Sequence, residues 1–154
     1  MTDILLENMD LNDLKECAHK LASQLHPRDV IFLDGDLGAG KTQFAKFLIQ
    51  AAAGEDIDVP SPTFTIVQLY DTNIGEIWHF DLYRIEDENE TEAIGIEEAF
   101  SEGISLFEWP DRLGTYAPKS RLEIRISINP DETRTLKIDR IGDNWQKRDL
   151  TLKG

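Results

Sequence analysis

Residues Gly35–Thr42 read GDLGAGKT, which fits the pattern G-x-x-x-x-G-K-[S/T] of a phosphate-binding loop. The apolar run Val30–Leu33 precedes this stretch and is typical of a buried parallel strand. The segment Gln43–Ala53 follows it, with apolar residues at helical spacing. A strand, a glycine-rich turn and a helix in this order indicate a P-loop and not an ordinary turn.

The residue types in this loop suit a bound triphosphate. Glycines let the backbone approach a phosphate, and successive N–H groups at a helix start form a nest for anions. Lys41 is expected to reach the β- and γ-phosphates, and the Thr42 hydroxyl is expected to bind Mg²⁺. The predicted nucleotide ligands in the loop are Asp36, Leu37, Gly38, Ala39, Gly40, Lys41 and Thr42.

Length and composition restrict the class of protein. A chain of 154 residues predicts one domain, residues 1–154. Its 16 basic and 30 acidic residues give a net charge of −14, which argues against binding nucleic acid unaided. No basic leader and no apolar run near the ~18 residues of a membrane span occurs. We therefore expect a cytoplasmic protein with no membrane contact. Cys17 is the only cysteine, so an internal disulfide is excluded.

Hydrophobic periodicity predicts strands alternating with helices. Asp10 is the expected N-cap of the first helix, and Gly95 is expected to break the third. Strands are predicted at residues 4–6, 30–34, 64–70, 76–82, 104–108, 121–128 and 133–141, and helices at 11–25, 41–53, 90–100 and 111–115. Short connections make two pairs of strands antiparallel hairpins. The predicted fold class is α/β, a P-loop NTPase-like three-layer sandwich with a mixed parallel and antiparallel sheet.

Two acids follow apolar runs and are candidates for the metal side of the site. Asp81 comes after Ile77–Phe80, and Glu108 comes after Ile104–Phe107. One carboxylate would orient Mg²⁺ or its water shell, and the other would polarise the attacking water. The alternative is that either acid caps a strand end or pairs with a basic side chain. The stretch Ser61–Thr63 has the character of a switch loop, although an ordinary turn is the alternative.

The nucleotide is expected to be ATP. Asp111–Gly114 and Asp139–Gly142 match the D-x-x-G spacing of GTPases, but neither follows the expected strand. The guanine signature N-K-x-D is absent from the sequence. We therefore treat both matches as chance.

Together these stretches resemble the TsaE (YjeE) family, small bacterial P-loop ATPases required for threonylcarbamoyladenosine modification of tRNA. Their order and spacing agree with the family over nearly the whole chain. The matching stretches are Gly35–Thr42, Ser61–Thr65, His79–Arg84, Gly95–Ile96 and Glu108–Pro110.

The resemblance assigns further roles. It implies that Thr42 and Glu108 hold Mg²⁺, and that Lys41 grips the phosphates. It implies that Asp81 and Thr63 belong to the same site. The remaining implied nucleotide contacts are Trp109 and, as candidate adenine contacts, Asn12 and Arg134.

The resemblance also supplies partners. It implies action with the TsaD–TsaB pair, which transfers threonylcarbamoyl to adenosine 37 of ANN-decoding tRNA, and a resetting of that pair by ATP hydrolysis. The chain would be a monomer when alone and would reach tRNA only through the complex. Two alternatives are a small-molecule kinase, which normally adds an arginine-rich lid, and a nucleotide-dependent binding switch without significant turnover. No arginine finger stands out, so a partner is expected to complete the site.

Overall fold

The computed structural model describes residues 3–63 and 65–152. The strands are β1 (Ile4–Met9), β2 (Val30–Asp34), β3 (Val67–Thr72), β4 (Gly75–Asp81), β5 (Ile104–Glu108), β6 (Arg121–Ile128) and β7 (Arg134–Ile141). The helices are α1 (Leu11–Ala22), α2 (Lys41–Ala53), α3 (Ile96–Glu102) and α4 (Asp143–Gln146), with 3-10 helices at Glu88–Ile94 and Pro110–Tyr116.

The strands form one sheet in the order β1-β7-β6-β2-β5-β4-β3. The centre is parallel, because β2 pairs with β5 and β6, and β4 pairs with β5. The outer pairs β1 with β7, β6 with β7 and β3 with β4 are antiparallel. The predicted mixed sheet is confirmed. The carboxyl ends of β2, β4 and β5 meet at one edge, where Glu108 lies opposite both Leu33 and Asp81.

Apolar residues of β2 alternate between two hydrophobic cores, one on each face of the sheet. Ile31 and Leu33 belong to a core that includes Phe44 of α2 and residues of α1. Phe32 belongs to the opposite core, which includes Ile96 of α3. This alternation follows from the two-residue period of a strand. Helices cover both faces, so the three-layer arrangement is confirmed.

Most predicted elements lie where the sequence pattern places them, and β2, α2, β5 and β6 begin and end at the predicted residues. Several other boundaries differ. Strand β1, for example, extends to Met9 and not only to residue 6. Helix α1 ends at Ala22 and not at residue 25. Strand β3 begins at Val67 and not at residue 64, because Ile66 donates its N–H to Pro62 O at 2.6 Å and closes a turn there. Phe64 itself lies outside the described residues.

The acidic segment Glu88–Ile94 forms a 3-10 helix, where the sequence predicted a helix from residue 90 without specifying its type. Asp87 is its N-cap and forms a capping box with Glu90. Glu88 accepts hydrogen bonds from the backbone N–H and the hydroxyl of Thr115, which connects the two 3-10 helices. Gly95 separates this segment from α3, as predicted. Several of these acidic side chains therefore serve local structure.

Candidate functional site

The glycine-rich loop connects the end of β2 to the start of α2. A side chain at Gly35 would place its Cβ 2.5 Å from the carbonyl oxygen of Ile126, so only glycine fits. Gly40 is the N-cap residue of α2, with a φ of 109° that favours glycine. It has no side chain to cap the first N–H groups of the helix. These donors and the positive end of the helix dipole therefore suit an anion in the loop.

Lys41 is buried at the mouth of this loop, with 5% of its surface exposed. Its Nζ donates hydrogen bonds to the carbonyl oxygens of Gly35, at 2.5 Å, and Asp36, at 3.4 Å. It also lies 3.7 Å from the centroid of the Trp109 ring. Burial lowers the pKa of Lys41, while Glu108 and neighbouring aspartates oppose that shift. The ammonium group is thus held in a partly dry site, where attraction to phosphate is stronger than in water.

Glu108 ends β5 inside the sheet edge and is only 2% exposed. Its Oε1 accepts a hydrogen bond from the Thr42 hydroxyl at 2.7 Å. Its Oε2 lies 2.6 Å from Nε2 of His79. The parallel pairing of β2 with β5 makes the Thr42 contact possible, because it aligns the ends of both strands beside the start of α2.

Asp81 ends β4 beside Glu108 and is 5% exposed. Its Oδ2 accepts a hydrogen bond from the Thr63 hydroxyl at 3.0 Å, and its Oδ1 accepts one from the backbone N–H of Tyr83 at 3.0 Å. The hydroxyl oxygens of Ser61 and Thr63 are 2.7 Å apart. The loop that precedes β3 therefore contacts the site through Asp81.

The side-chain oxygens of this cluster suit Mg²⁺, which prefers oxygen ligands. Thr42 and Glu108 supply one hydroxyl and one carboxylate that already touch. Across residues 3–63 and 65–152, no group of three or more His, Cys, Asp or Glu side chains could hold a metal by itself. Mg²⁺ is usually held by one or two carboxylates together with substrate phosphates. The donors therefore fit an ion that enters with a nucleotide.

Trp109 lies against the cluster in a left-handed backbone conformation, with φ 59° and ψ 53°. This conformation is unusual for a bulky residue and for one that precedes proline. Its ring packs against Tyr83, with centroids 5.0 Å apart, and against the ammonium of Lys41. The resulting cleft has a volume of about 230 Å³. Its lining residues are Leu37, Gly38, Gly40, Lys41, Thr42, Gln43, Thr63, Asp81, Glu108 and Trp109.

The structure places the two candidate adenine contacts differently. Arg134, on β7, donates from Nε to the carbonyl oxygen of Ala39 at 2.8 Å and therefore touches the loop. Asn12 is exposed on the first turn of α1, does not line the cleft, and donates to Glu16 at 3.4 Å. The acidic residues beside it, Asp10 and Asp13, form the capping box of α1. Arg134 is thus brought to the site, and Asn12 remains outside the cleft.

One residue of the cluster, His79, was not among the predicted site residues; it is fully buried and contacts Glu108. Its signal was available in the sequence, because His79 precedes Asp81 by two residues on β4. Residues two apart on a strand face the same side of the sheet. Arg112, which follows Trp109 by three residues, donates to the Ile85 carbonyl at 2.9 Å and lies beside Asp111.

A glycine-rich loop between a parallel strand and a helix, with a buried lysine and two carboxylates at the same sheet edge, defines an α/β protein of the P-loop class. The family model described as threonylcarbamoyl adenosine biosynthesis protein TsaE matches residues 8–136. The chain belongs to the TsaE family, and the resemblance seen in the sequence motifs is confirmed.

Individual proteins of this family are similar in sequence to most of the chain. A Bacillus subtilis protein named tRNA threonylcarbamoyladenosine biosynthesis protein TsaE is 34% identical over 147 residues, which are 95% of this chain and 91% of that protein. A Rickettsia felis protein of the same name is 34% identical over 135 residues, 88% of this chain and 78% of its own length. The crystal structure of Bacillus subtilis YdiB superposes with a TM-score of 0.78 at 30% identity, covering 96% of this chain and 92% of YdiB.

The helices of the described residues are all too short or too polar to cross a membrane.

Proposed function

We propose that this chain is the ATP-binding and ATP-hydrolysing subunit required for threonylcarbamoyladenosine (t6A37) modification of ANN-decoding tRNA. Membership of the TsaE family supports the pathway. One observation supports the proposal of ATP hydrolysis most directly. The Thr42 hydroxyl contacts Glu108 in the cleft that Lys41 and Asp81 also line. This is the set of groups that phosphoryl transfer to water needs, namely a phosphate-binding cation, metal ligands and an acid that orients water.

Each residue of the cleft has a separate role in the proposed reaction. Lys41 and the loop N–H groups bind the β- and γ-phosphate oxygens. Thr42 and Glu108 would hold Mg²⁺, which when bound offsets the negative charge that develops on the phosphate oxygens.

Asp81, held by Thr63, accepts a hydrogen bond from a water aligned with the γ-phosphorus. The water oxygen bonds to that phosphorus, and the bond to the bridging oxygen breaks. ADP leaves, one proton remains on the released phosphate, and the other goes to solvent.

Hydrolysis is proposed to reset a TsaD–TsaB complex between turnovers. The net charge of −14 supports this division of labour, because so acidic a chain is unsuited to hold tRNA phosphates itself. In this proposal the chain is cytoplasmic and monomeric when alone, hydrolyses ATP weakly without its partners, and reaches tRNA through them.

The test is repeated modification of an ANN-decoding tRNA by TsaD and TsaB, with the wild-type chain or with Lys41→Ala. The proposal expects many product molecules per complex with wild type and about one with the variant. Equal product from both would contradict it. Phosphate release that the partners do not stimulate would favour the binding switch. A phosphorylated small acceptor would favour the kinase.

A further inference from the structure

His79 is a buried polar side chain that the hydrolysis described above does not use. It lies in the middle of β4, opposite Gln68 of β3 and Leu106 of β5, and it is fully buried. Its side chain faces the same side of the sheet as Asp81. Its Nε2 lies 2.6 Å from Oε2 of Glu108, which is hydrogen-bonding distance. A polar ring in this position therefore has a specific partner, and that partner belongs to the proposed metal site.

The contact decides which ring nitrogen carries the proton. An ionised carboxylate only accepts hydrogen bonds, so Nε2 of His79 must donate to Glu108. Nδ1 is buried and has no hydrogen-bond partner in the part of the chain that the structure describes. A proton on Nδ1 would leave a buried donor unpaired, which is costly. The hydrogen-bonding geometry therefore favours the tautomer with hydrogen on Nε2.

Glu108 is held through both oxygens. Its Oε2 receives the hydrogen bond from His79, and its Oε1 receives the one from Thr42 at 2.7 Å. Without a donor on Oε2, the carboxylate could rotate about its last bond and direct either oxygen elsewhere, because this torsion is broad. Hydrogen bonds to a ligating carboxylate fix its orientation and tune its affinity for the metal.

We propose that His79 is a positioning residue that fixes the rotation of the Glu108 carboxylate, so that Oε1 stays directed at the Thr42 hydroxyl. The inference rests on the proposed function, since it assigns Glu108 to the metal. Loss of the His79 hydrogen bond weakens Mg²⁺-dependent nucleotide binding and the hydrolysis that follows. Binding through the P-loop backbone and Lys41 is unaffected, because neither contacts His79.

Three substitutions separate the hydrogen bond from the volume of the ring. His79→Gln keeps an amide N–H at about the reach of Nε2. His79→Asn keeps polarity but is too short, and His79→Leu removes the donor. The matched control is His19→Gln, an exposed position on α1. The first measurement is the affinity for a slowly hydrolysed ATP analogue by calorimetry, with Mg²⁺ and with EDTA.

His79→Leu and His79→Asn are expected to lower the Mg²⁺-dependent gain in affinity by about tenfold. Affinity in EDTA should stay within about twofold for every variant, since the P-loop is unchanged. His79→Gln and His19→Gln should keep most of the gain. The proposal is overturned if Leu and Asn retain the full gain, or if Gln loses as much as Leu. If His79→Leu does not fold, the comparison of Gln with Asn decides.

A second measurement is independent of hydrolysis. Nitrogen-15 NMR of the imidazole in the intact chain should show the Nε2–H tautomer for His79, and the Nδ1–H tautomer would overturn the proposal. If the wild-type chain released no phosphate even with its partners, the proposed function would fail. The calorimetry and the NMR would still decide whether His79 positions Glu108.

Discussion

One charged concavity lies at the carboxyl edge of β2, β4 and β5, another lies along β6 and β7, and the first, smaller one is the candidate site. The cleft beside the P-loop has a volume of about 230 Å³, while a groove lined by residues of β6, β7 and the second 3-10 helix has about 390 Å³. In the cleft, Lys41, Asp81 and Glu108 are nearly fully buried. In the groove, Arg125 pairs with Asp34 at 2.6 Å, with both side chains about half exposed.

The difference shows that size and charge alone do not mark a site. The groove's ions lie near water and neutralise one another, as between Arg121 and Glu123 at 2.7 Å. Solvent screens such pairs, and their contribution is small. In the cleft, one cation and two carboxylates lie close together with little water around them. A charged ligand would therefore interact with them more strongly than with the solvated ions of the groove. Matched substitutions in the two places test this contrast.

The largest effect is expected for Lys41→Ala, with Lys137→Ala as its control. Lys41→Ala should lower ATP hydrolysis about 1,000-fold, because the buried charge that we propose binds the phosphates is lost. Lys137→Ala, in the groove, should leave hydrolysis within about twofold, since that lysine is exposed on β7. Single-turnover phosphate release with both variants checks this. A similar loss in the two variants would remove the distinction between cleft and groove.

The next largest effect is expected for Glu108→Ala, with Glu123→Ala as its control. Glu108→Ala should lower hydrolysis about 100-fold and nucleotide affinity in EDTA by less than about threefold, because its role concerns the metal. Glu123→Ala is the groove control and should change neither quantity. Phosphate release and calorimetry measure the two effects separately. Equal loss of binding and hydrolysis in Glu108→Ala would count against its proposed role.

The groove's own ion pair should matter little for stability. Arg125→Ala breaks the contact with Asp34, and the free energy of unfolding should fall by less than about 1 kcal/mol, because both groups are solvated and screened. Urea denaturation at low and high salt checks this. A loss of several kcal/mol, insensitive to salt, would show that the pair acts as a buried one.

The smallest effect concerns pH at the edge of the groove. Asp3 accepts the backbone N–H of Arg140 at 2.8 Å, and this hydrogen bond lowers the pKa of the Asp3 carboxyl below its usual 3.8. The folded state therefore favours the ionised form. The stabilisation is complete above pH 3.8 and disappears as pH falls through the lowered pKa.

Asp3→Asn should accordingly cost less than about 0.5 kcal/mol near neutral pH, discounted because the carboxyl is well exposed. The difference from wild type should vanish in acid. Urea denaturation at pH 7 and pH 2.5 measures it. A difference that grew in acid would reverse the assigned sign.

Local elements were predictable because their signals are local. Strand β2, the loop and α2 follow from an apolar run, spaced glycines and helical periodicity, all within residues 30–53. The predicted start of β3 was wrong because the turn from Pro62 to Ile66 has no strong sequence pattern. This turn places Ile66 at a φ of 71°, which is rare for a β-branched residue. The 3-10 form of the acidic segment was missed because capping predicts where a helix starts and not its type.

The candidate site was predictable residue by residue but not as an arrangement. Motifs identified Lys41 and Thr42, and the ends of two apolar runs identified Asp81 and Glu108. Which acid contacts Thr42 depends on β5, and not β4, lying next to β2. Likewise, the contact between Arg134 and Ala39 depends on how β7 lies beside β6 and reaches the loop.

The loop Gly35–Thr42 illustrates the division between sequence and tertiary structure. Its conformation and its suitability for phosphate follow from glycine, lysine and threonine at set spacings, because φ preferences and helix starts are properties of neighbouring residues. The cleft around it, with Glu108 held between Thr42 and His79, exists because distant strands pair in one order and register. Strand pairing joins segments that are distant in sequence, and its order and register depend on which faces of the strands become buried. They are therefore determined only in the folded chain.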